Sequence, residues 1–184
     1  MPLSDPERQI VAEIERRRGA LVQLTSELVG FDTTARNPED PPRDEAALQD
    51  HLARRLRAAG AEVDLWEPST EEMAGKPLVP PGLGFVGRPQ LVARFKGAGG
   101  GRSLLLNGHI DAVSVEPREQ WTSDPFEAEI RDGDLYGRGT CDMKGGIAAM
   151  TLAAEALAQS GIELAGDLIV ATNTDEESSG AGSS

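Results

Sequence analysis

Apolar residues recur at helical spacing in three stretches of the chain. The first spans about Asp5 to Val29, where Gly30 can end a helix. The second runs from about Asp44 to Ala59, after a proline-rich connection at Asn37 to Asp44 that excludes helix and central strand. The third, Met143 to Gln159, is rich in alanine. The first two stretches predict helices with one apolar face, and the third predicts a buried helix.

Shorter apolar runs between these helices have the length and composition of strands. Ala61 to Trp66 alternates apolar and polar residues, which predicts a half-buried strand. Ser103 to Asn107 and Asp167 to Asn173 are nearly continuous apolar runs, which are typical of strands buried on both faces. Pro89 to Lys96 predicts a further strand, and Asp132-Gly133 predicts the turn of a β-hairpin. The mixture of helices and strands predicts an α/β layer fold.

Composition and charge exclude several classes of protein and of binding partner. The chain has 184 residues, enough for one medium domain, and a net charge of −13, which argues against nucleic acid or an anionic membrane as the main partner. A single cysteine excludes a disulfide framework and a cysteine-based zinc site. No apolar run approaches the roughly 20 residues of a spanning helix, and the acidic start is unlike a secretory signal. We therefore expect a cytoplasmic protein without a membrane partner.

The segment Asn107 to Val113 places a histidine and a carboxylate directly after an apolar strand. His109 and Asp111 are two residues apart, so their side chains point to the same side of an extended segment. The Asp111 carboxylate can accept the ring N–H of His109 and leave the other ring nitrogen for a metal. A polar loop that merely closes the strand is the alternative for such a short motif.

Two further segments present carboxylates near element ends. In Tyr136 to Gly146, glycines bracket Asp142 and Lys144 ahead of the alanine-rich helix; a phosphate loop and a glycine turn with Asp142 as helix cap are the alternatives. Thr174 to Glu177 follows the last strand, as either a solvated turn or a cation and proton-transfer site. Ligands of open α/β sheets collect at the carboxyl ends of strands, and one histidine with several carboxylates suits a divalent metal.

Taken together, these motifs resemble one family. GHIDAV at Gly108 to Val113, WTSDPF at Trp121 to Phe126, DGDLYGRGTCDMKGG at Asp132 to Gly146 and TDEE at Thr174 to Glu177 are similar to motifs of the dizinc aminoacylase, acetylornithine deacetylase, succinyl-diaminopimelate desuccinylase and carboxypeptidase G family of metallopeptidases. The resemblance covers the chain from about Glu13 onward. It implies a three-layer αβα fold with a mixed, largely parallel central sheet, and hydrolysis of amide bonds in N-acyl amino acids or peptides.

The resemblance also implies a role for each site residue. His109 would bind one metal, Glu177 the other, and Asp142 would bridge both. Glu176 would act as the general base on a water, Asp111 would orient His109, and the Asp142–Met143 peptide bond would be cis. The metal would be Zn²⁺, two per complete site, with Co²⁺ or Mn²⁺ as substitutes.

Members of this family are about twice as long or longer, with a lid and dimerisation domain and later metal ligands. The resemblance therefore implies that residues 1–184 are the N-terminal part of the catalytic domain, that longer relatives form homodimers, and that this chain alone is a poor hydrolase. Two other classes stay open from the residues: a non-catalytic remnant that folds or pairs with another chain, and a sugar- or nucleotide-phosphate binding module, which the acidic loops disfavour.

Overall fold

A computed structural model describes residues 2–35 and 41–184 of the chain. Of the proline-rich connection predicted at 37–44, residues 37–40 lie outside the described residues. The helices are α1 (Asp5–Arg16), α2 (Arg18–Val29), α3 (Glu45–Ala58), α4 (Thr70–Met73) and α5 (Gly145–Gln159). The strands are β1 (Glu62–Trp66), β2 (Gln90–Phe95), β3 (Leu104–His109), β4 (Glu129–Arg131), β5 (Asp134–Tyr136) and β6 (Leu168–Asn173).

The central sheet has four strands in the order β1-β2-β6-β3. The β1–β2 and β2–β6 pairs are antiparallel, whereas β3 runs parallel to β6, with Leu104 opposite Leu168 and His109 opposite Asn173. The sheet is therefore mixed, as predicted, but among the described strands its parallel character is confined to the β3–β6 pair. Strands β4 and β5 form a separate hairpin whose turn holds Asp132 at φ 53° and Gly133 at φ 93°, which confirms that prediction.

One face of the sheet carries the main core. Helices α2 and α5 pack together, α3 covers β1 and β2, and α5 covers β3 and β6. Their buried apolar residues form one cluster with the inward side chains of the strands, including Leu24, Leu28, Leu48, Leu52, Leu56, Leu91, Ala93, Ile147, Leu152, Leu168 and Val170.

The opposite face is covered near the carboxyl end of β6. There, helix α4 and the turn Ala181–Ser183 share a smaller apolar cluster through Met73, Phe85 and Ala181. The predicted fold class, a mixed sheet with helices on both sides, is confirmed. In the described residues, no helix combines the length and the hydrophobicity that crossing a membrane requires.

Two predicted elements differ from the structure. The single helix expected from Asp5 to Val29 is two helices, because the backbone turns at Arg17, where φ is −90° and ψ is 8°. Of the two strands expected to be buried on both faces, β3 is an edge strand, and its Leu104 and Leu105 are 56% and 59% exposed. A continuous apolar run alone does not distinguish a central strand from an edge strand, since neighbours decide which faces are covered.

Candidate metal centre

The parallel β3–β6 pair brings two of the predicted site segments together. Both strands end at the same edge of the sheet, and the N–H of Ile110 donates to the carbonyl of Asn173 over 2.8 Å, which continues the pairing past His109. The turn that carries Glu176 and Glu177 starts directly after Asn173. His109 and the two glutamates are therefore neighbours in space although they are far apart in sequence.

The ring of His109 is buried and held at both nitrogens. Its Nδ1 lies 2.9 Å from the backbone carbonyl of Asp111, and its Nε2 lies 3.0 Å from Oδ1 of Asp142 and 3.9 Å from Oε2 of Glu176. A carbonyl oxygen only accepts hydrogen bonds, so Nδ1 carries a proton. Nε2 is therefore the nitrogen directed at the carboxylates and available to a metal.

Asp142 is presented by a tight turn in front of α5. Gly139 enters this turn in the left-handed region, at φ 81°, which a residue with a side chain rarely adopts. The Asp142–Met143 peptide bond is cis, as the resemblance implied. The cap position of α5 is Lys144, not Asp142, and the Asp142 side chain is 72% exposed. The carboxylate thus faces the opening of the site and is not used to cap the helix.

Asp111 connects the histidine to the glutamate turn. Its carboxylate accepts the backbone N–H of Glu176 over 3.2 Å and that of Glu177 over 2.8 Å. The same carboxylate lies 3.6 Å from Nδ1 of His109, farther than the Asp111 carbonyl. From the sequence we expected the Asp111 carboxylate itself to accept the ring N–H of His109. In the structure the Asp111 carbonyl accepts it, and the carboxylate fixes the turn.

The donor atoms are close enough to share a cation. Atoms of His109, Glu176 and Glu177 lie within 4.8 Å of one another. Two ligands of a tetrahedral zinc ion are about 3.3 Å apart for bonds of about 2.0–2.1 Å. The 3.0 Å between His109 Nε2 and Asp142 Oδ1 is close to that separation. Asp142 is not a member of that group and joins it through His109 alone. One imidazole with carboxylates around it suits Zn²⁺ and similar divalent ions.

The pKa values of His109 and Glu177 are shifted by the carboxylates around them. The Asp111 carboxyl group, with a smaller contribution from Asp142, raises the pKa of His109 to about 9, although burial acts in the opposite direction. Burial and the charge of Asp142 raise the pKa of Glu177, with Asp111 and Glu176 adding to the repulsion. Negative charge therefore accumulates at this end of the sheet, where a cation would relieve it.

Lys144 is a further residue of the site, for which no role was predicted from the sequence. Lys144 is fully buried beneath the turn, and its Nζ donates to the carbonyl of Phe31 over 2.7 Å. Burial lowers the pKa of Lys144 to about 8, against the opposing charges of Asp32, Asp44 and Asp111. The sequence feature that could have pointed to this role is a lysine directly before an apolar helix, in a segment with glycines before and after it. It supports the turn that carries Asp142.

Comparison with known proteins finds similarity to a family of peptidases and related hydrolases. Residues 105–184 match the profile of peptidase family M20/M25/M40. The chain is 34% identical over 176 residues to an N-formyl-4-amino-5-aminomethyl-2-methylpyrimidine deformylase of Halalkalibacterium halodurans, covering 95% of this chain and 36% of that protein. It is 38% identical over 158 residues to a succinyl-diaminopimelate desuccinylase of Stenotrophomonas maltophilia, covering 86% of this chain and 35% of that one.

Solved structures share the fold. Human carnosine dipeptidase 1 superposes with a TM-score of 0.71 at 23% identity, over 90% of this chain and 34% of that one. The M20 family metallo-carboxypeptidase Sso-CP2 of Sulfolobus solfataricus has a TM-score of 0.63 at 18% identity, over 83% of this chain and 30% of that one. The fold is that of M20 metallopeptidases, and the family resemblance stated from the sequence is confirmed. The chain spans about a third of the length of these relatives.

Proposed function

We propose that this chain is the N-terminal part of the catalytic domain of a metal-dependent hydrolase that cleaves amide bonds in N-acyl amino acids or peptides. The observation that carries the proposal is the convergence of His109 Nε2 with the carboxylates of Asp142, Glu176 and Glu177 at the carboxyl end of β3 and β6. The relatives support it, since they are named as a deformylase, a desuccinylase and a dipeptidase.

In this proposal, His109 and Asp142 would hold one cation, and Glu177 would hold a second, with Asp142 as the ligand common to both. Zn²⁺ is the expected metal, with Co²⁺ or Mn²⁺ as substitutes, because carboxylate-rich sites accept several divalent ions. Each cation would then have two protein ligands from this chain, fewer than the three that are typical of a catalytic zinc. We therefore expect this chain to bind metal weakly, and to bind one cation in preference to two.

The protein's own contribution to the reaction centres on Glu176. When bound, the metal pair supplies Lewis-acid polarisation of the amide carbonyl and makes a water more acidic. The Glu176 side chain is 49% exposed, and its Oε2 lies 3.9 Å from His109 Nε2, so it faces both the metal ligands and the open side of the site. Glu176 would accept a proton from the attacking water at this oxygen and return it to the leaving amine.

Asp111 acts by positioning. Its carbonyl fixes the ring of His109, and its carboxylate fixes the backbone of Glu176 and Glu177. One buried residue therefore sets the distance between the histidine and both glutamates. Such supporting contacts are typically worth about 10–100-fold in metal affinity or activity.

The setting of this activity follows from composition and from the relatives. We propose that the enzyme acts in the cytoplasm on small molecules, without a nucleic acid or membrane partner, since a net charge of −13 disfavours anionic partners. We assign homodimers to its longer forms by resemblance to the family.

Isothermal titration with Zn²⁺ tests the proposal, using the chain's two histidines as a matched pair. His109→Gln should weaken Zn²⁺ binding about 100-fold, since it removes a direct ligand and leaves its supports in place. His51→Gln should bind as the unaltered protein does, because His51 lies in α3 beside Glu27 and Phe31. Equal affinity of the two variants would show that His109 is not a ligand.

The two glutamates separate binding from catalysis. Glu177→Gln should weaken Zn²⁺ binding, whereas Glu176→Gln should retain it. In an amine-release assay with N-acyl amino acids, run on a full-length relative or on this chain complemented by the remainder of such an enzyme, Glu176→Gln should lower the rate about 10²–10⁴-fold, because an amide keeps the shape but cannot accept the proton. Loss of metal from Glu176→Gln, with turnover intact, would mean that the roles of the two residues are exchanged.

A further inference from the structure

A buried glutamine on β2 lies beside the turn that carries the two glutamates. Gln90 is 5% exposed and is the first residue of β2. Its Nε2 donates to the hydroxyl of Thr174 over 2.8 Å, and its Oε1 accepts the backbone N–H of Thr174 over 3.2 Å. Its Nε2 also contacts the carbonyl of Arg88 at 3.4 Å. The side-chain amide therefore binds the hydroxyl and the backbone N–H of Thr174 at once.

Thr174 stands at the entry to the turn. It follows the last residue of β6, and the next residue, Asp175, has φ at 66°, in the region that favours glycine. Such a conformation in a residue with a side chain persists only where neighbouring contacts enforce it. The carbonyl of Asp175 accepts the N–H of Gly180 over 2.9 Å, which closes the turn behind the glutamates. The path of the chain into Glu176 is thus set at Thr174.

The turn has a second support on its other side. Asp111 accepts the N–H groups of Glu176 and Glu177, so it holds the middle of the turn, while Gln90 holds its start. Both supports are side chains from strands or strand ends on either side of β6. Together they determine where the two carboxylates point relative to His109.

We infer that Gln90 is a positioning residue for the candidate metal centre: through Thr174 it fixes the turn that presents Glu176 and Glu177. The part of the inference that concerns metal rests on the proposed function. The part that concerns the turn rests only on the hydrogen bonds of Gln90, so the two parts are tested by different measurements.

Gln49 offers a matched control. It is also a buried glutamine that binds a threonine of β6: its Nε2 donates to the carbonyls of Thr172 over 2.9 Å and Pro89 over 3.1 Å, and its Oε1 accepts the Thr172 hydroxyl over 2.5 Å. Thr172 lies inside the strand ladder, opposite Leu91 and Gly108. Gln49 therefore fastens α3 to the sheet without holding the glutamate turn.

Amide hydrogen exchange on metal-free protein tests the positioning. Gln90→Met keeps the length of the side chain and removes its hydrogen bonds, so the amides of Glu176 and Glu177 should exchange about tenfold faster. In Gln49→Met these two amides should exchange as in the unaltered protein, with α5 as the internal reference in both variants. Unchanged exchange at Glu176 and Glu177 in Gln90→Met, or equal acceleration in both variants, overturns the inference.

The absorption spectrum of bound Co²⁺ then tests the consequence for the metal. Gln90→Met should bind Co²⁺ about tenfold more weakly, with altered visible bands, because its carboxylate ligands are less well ordered. Gln49→Met should give the unaltered spectrum and affinity. Faster exchange with an unchanged Co²⁺ spectrum would overturn the role of Gln90 toward the metal centre. Absence of Co²⁺ binding by the unaltered protein would contradict the proposed function, and hydrogen exchange would still decide whether Gln90 holds the turn.

Discussion

At each end of β6 a carboxylate accepts backbone N–H groups of a neighbouring segment, but the charges around the two carboxylates differ. At the start of the strand, the Asp167 carboxylate accepts the N–H of Gly97 over 2.9 Å, and at the other end the Asp111 carboxylate accepts the N–H groups of Glu176 and Glu177. Each carboxylate thereby ties a neighbouring segment to the sheet through backbone amides.

The partners of these two carboxylates differ. Asp167 lies 2.7 Å from the guanidinium of Arg94, and the Gly97 amide and Arg94 together hold its pKa below the ordinary value. Asp111 is buried, and its charge contributes to raising the pKa of both Asp175 and Glu177. At the amino end of β6, Arg94 compensates the charge of Asp167. At the carboxyl end, several carboxylates lie close together and repel one another.

This difference distinguishes the amino end of β6 from its carboxyl end, where the candidate metal centre lies. Like charges that are gathered without full compensation cost stability and are retained where a cation or a reaction uses them. The compensated end needs no ligand. The comparison therefore predicts that a divalent cation stabilises the carboxyl end of β6, and that alterations at the amino end affect stability without affecting the metal.

The largest expected effect is stabilisation of the fold by Zn²⁺. At a free concentration of about 100 times Kd, a ligand that binds only the folded state adds about 2.7 kcal/mol, which corresponds to a rise in Tm of about 5–10 °C for a chain of this size. Asp142→Asn should abolish the rise; because its side chain is 72% exposed, its own cost to the fold should be small. An equal rise in Asp142→Asn, measured by thermal melting, would place the stabilising cation elsewhere.

A substitution at the amino end should have a comparable effect on stability and none on the metal. A Cβ on Gly166 would lie 2.1 Å from the backbone carbonyl oxygen of Arg102, so Gly166→Ala forces two backbone segments apart. We expect it to lower the free energy of unfolding by about 1–3 kcal/mol in urea titrations. Gly84→Ala is the control, since a Cβ there meets nothing within 4 Å. A loss of Zn²⁺ affinity in Gly166→Ala would mean that the two ends are coupled.

The residues that local patterns predict well are those at the carboxyl ends of strands. The apolar run of β6 and the polar residues after it indicated where Glu176 and Glu177 would lie, and the parallel pairing with β3 brought His109 beside them. The prediction rested on short-range patterns and on the general rule that ligands collect at this edge of α/β sheets.

The features that the sequence did not reveal depend on contacts between distant residues. The edge position of β3 follows from which strand pairs with it, and an apolar run carries no information about that. Gln90 resembles any polar residue at a strand start, because its partner Thr174 is 84 positions away. The break at Arg17 divides a helix whose apolar spacing continues on both sides, so periodicity alone predicted one element.

The smallest expected effects give the sharpest test. Replacing a carboxylate by its amide should change Tm in opposite directions at the two ends of β6. In metal-free protein at neutral pH, Asp167→Asn should lower Tm slightly, since it removes an ionised partner of Arg94 and Gly97. Glu177→Gln should raise Tm slightly, since it removes a charge that Asp142, Asp111 and Glu176 repel. Equal signs for the two substitutions would contradict the electrostatic difference between the ends.

The pH dependence of these two differences follows from the directions of the pKa shifts. The pKa of Asp167 lies below its ordinary value of 3.8 in the folded state, so its ionised form stabilises the protein above that pH, and this contribution is lost as the pH falls through the folded-state pKa. The pKa of Glu177 lies above its ordinary value of 4.5, so its ionised form costs stability at neutral pH, and the cost disappears on acidification. Both Tm differences should therefore shrink toward zero from opposite sides in melts at successively lower pH, and a difference for Glu177→Gln that grows in acid would show that packing, not charge, determines its sign.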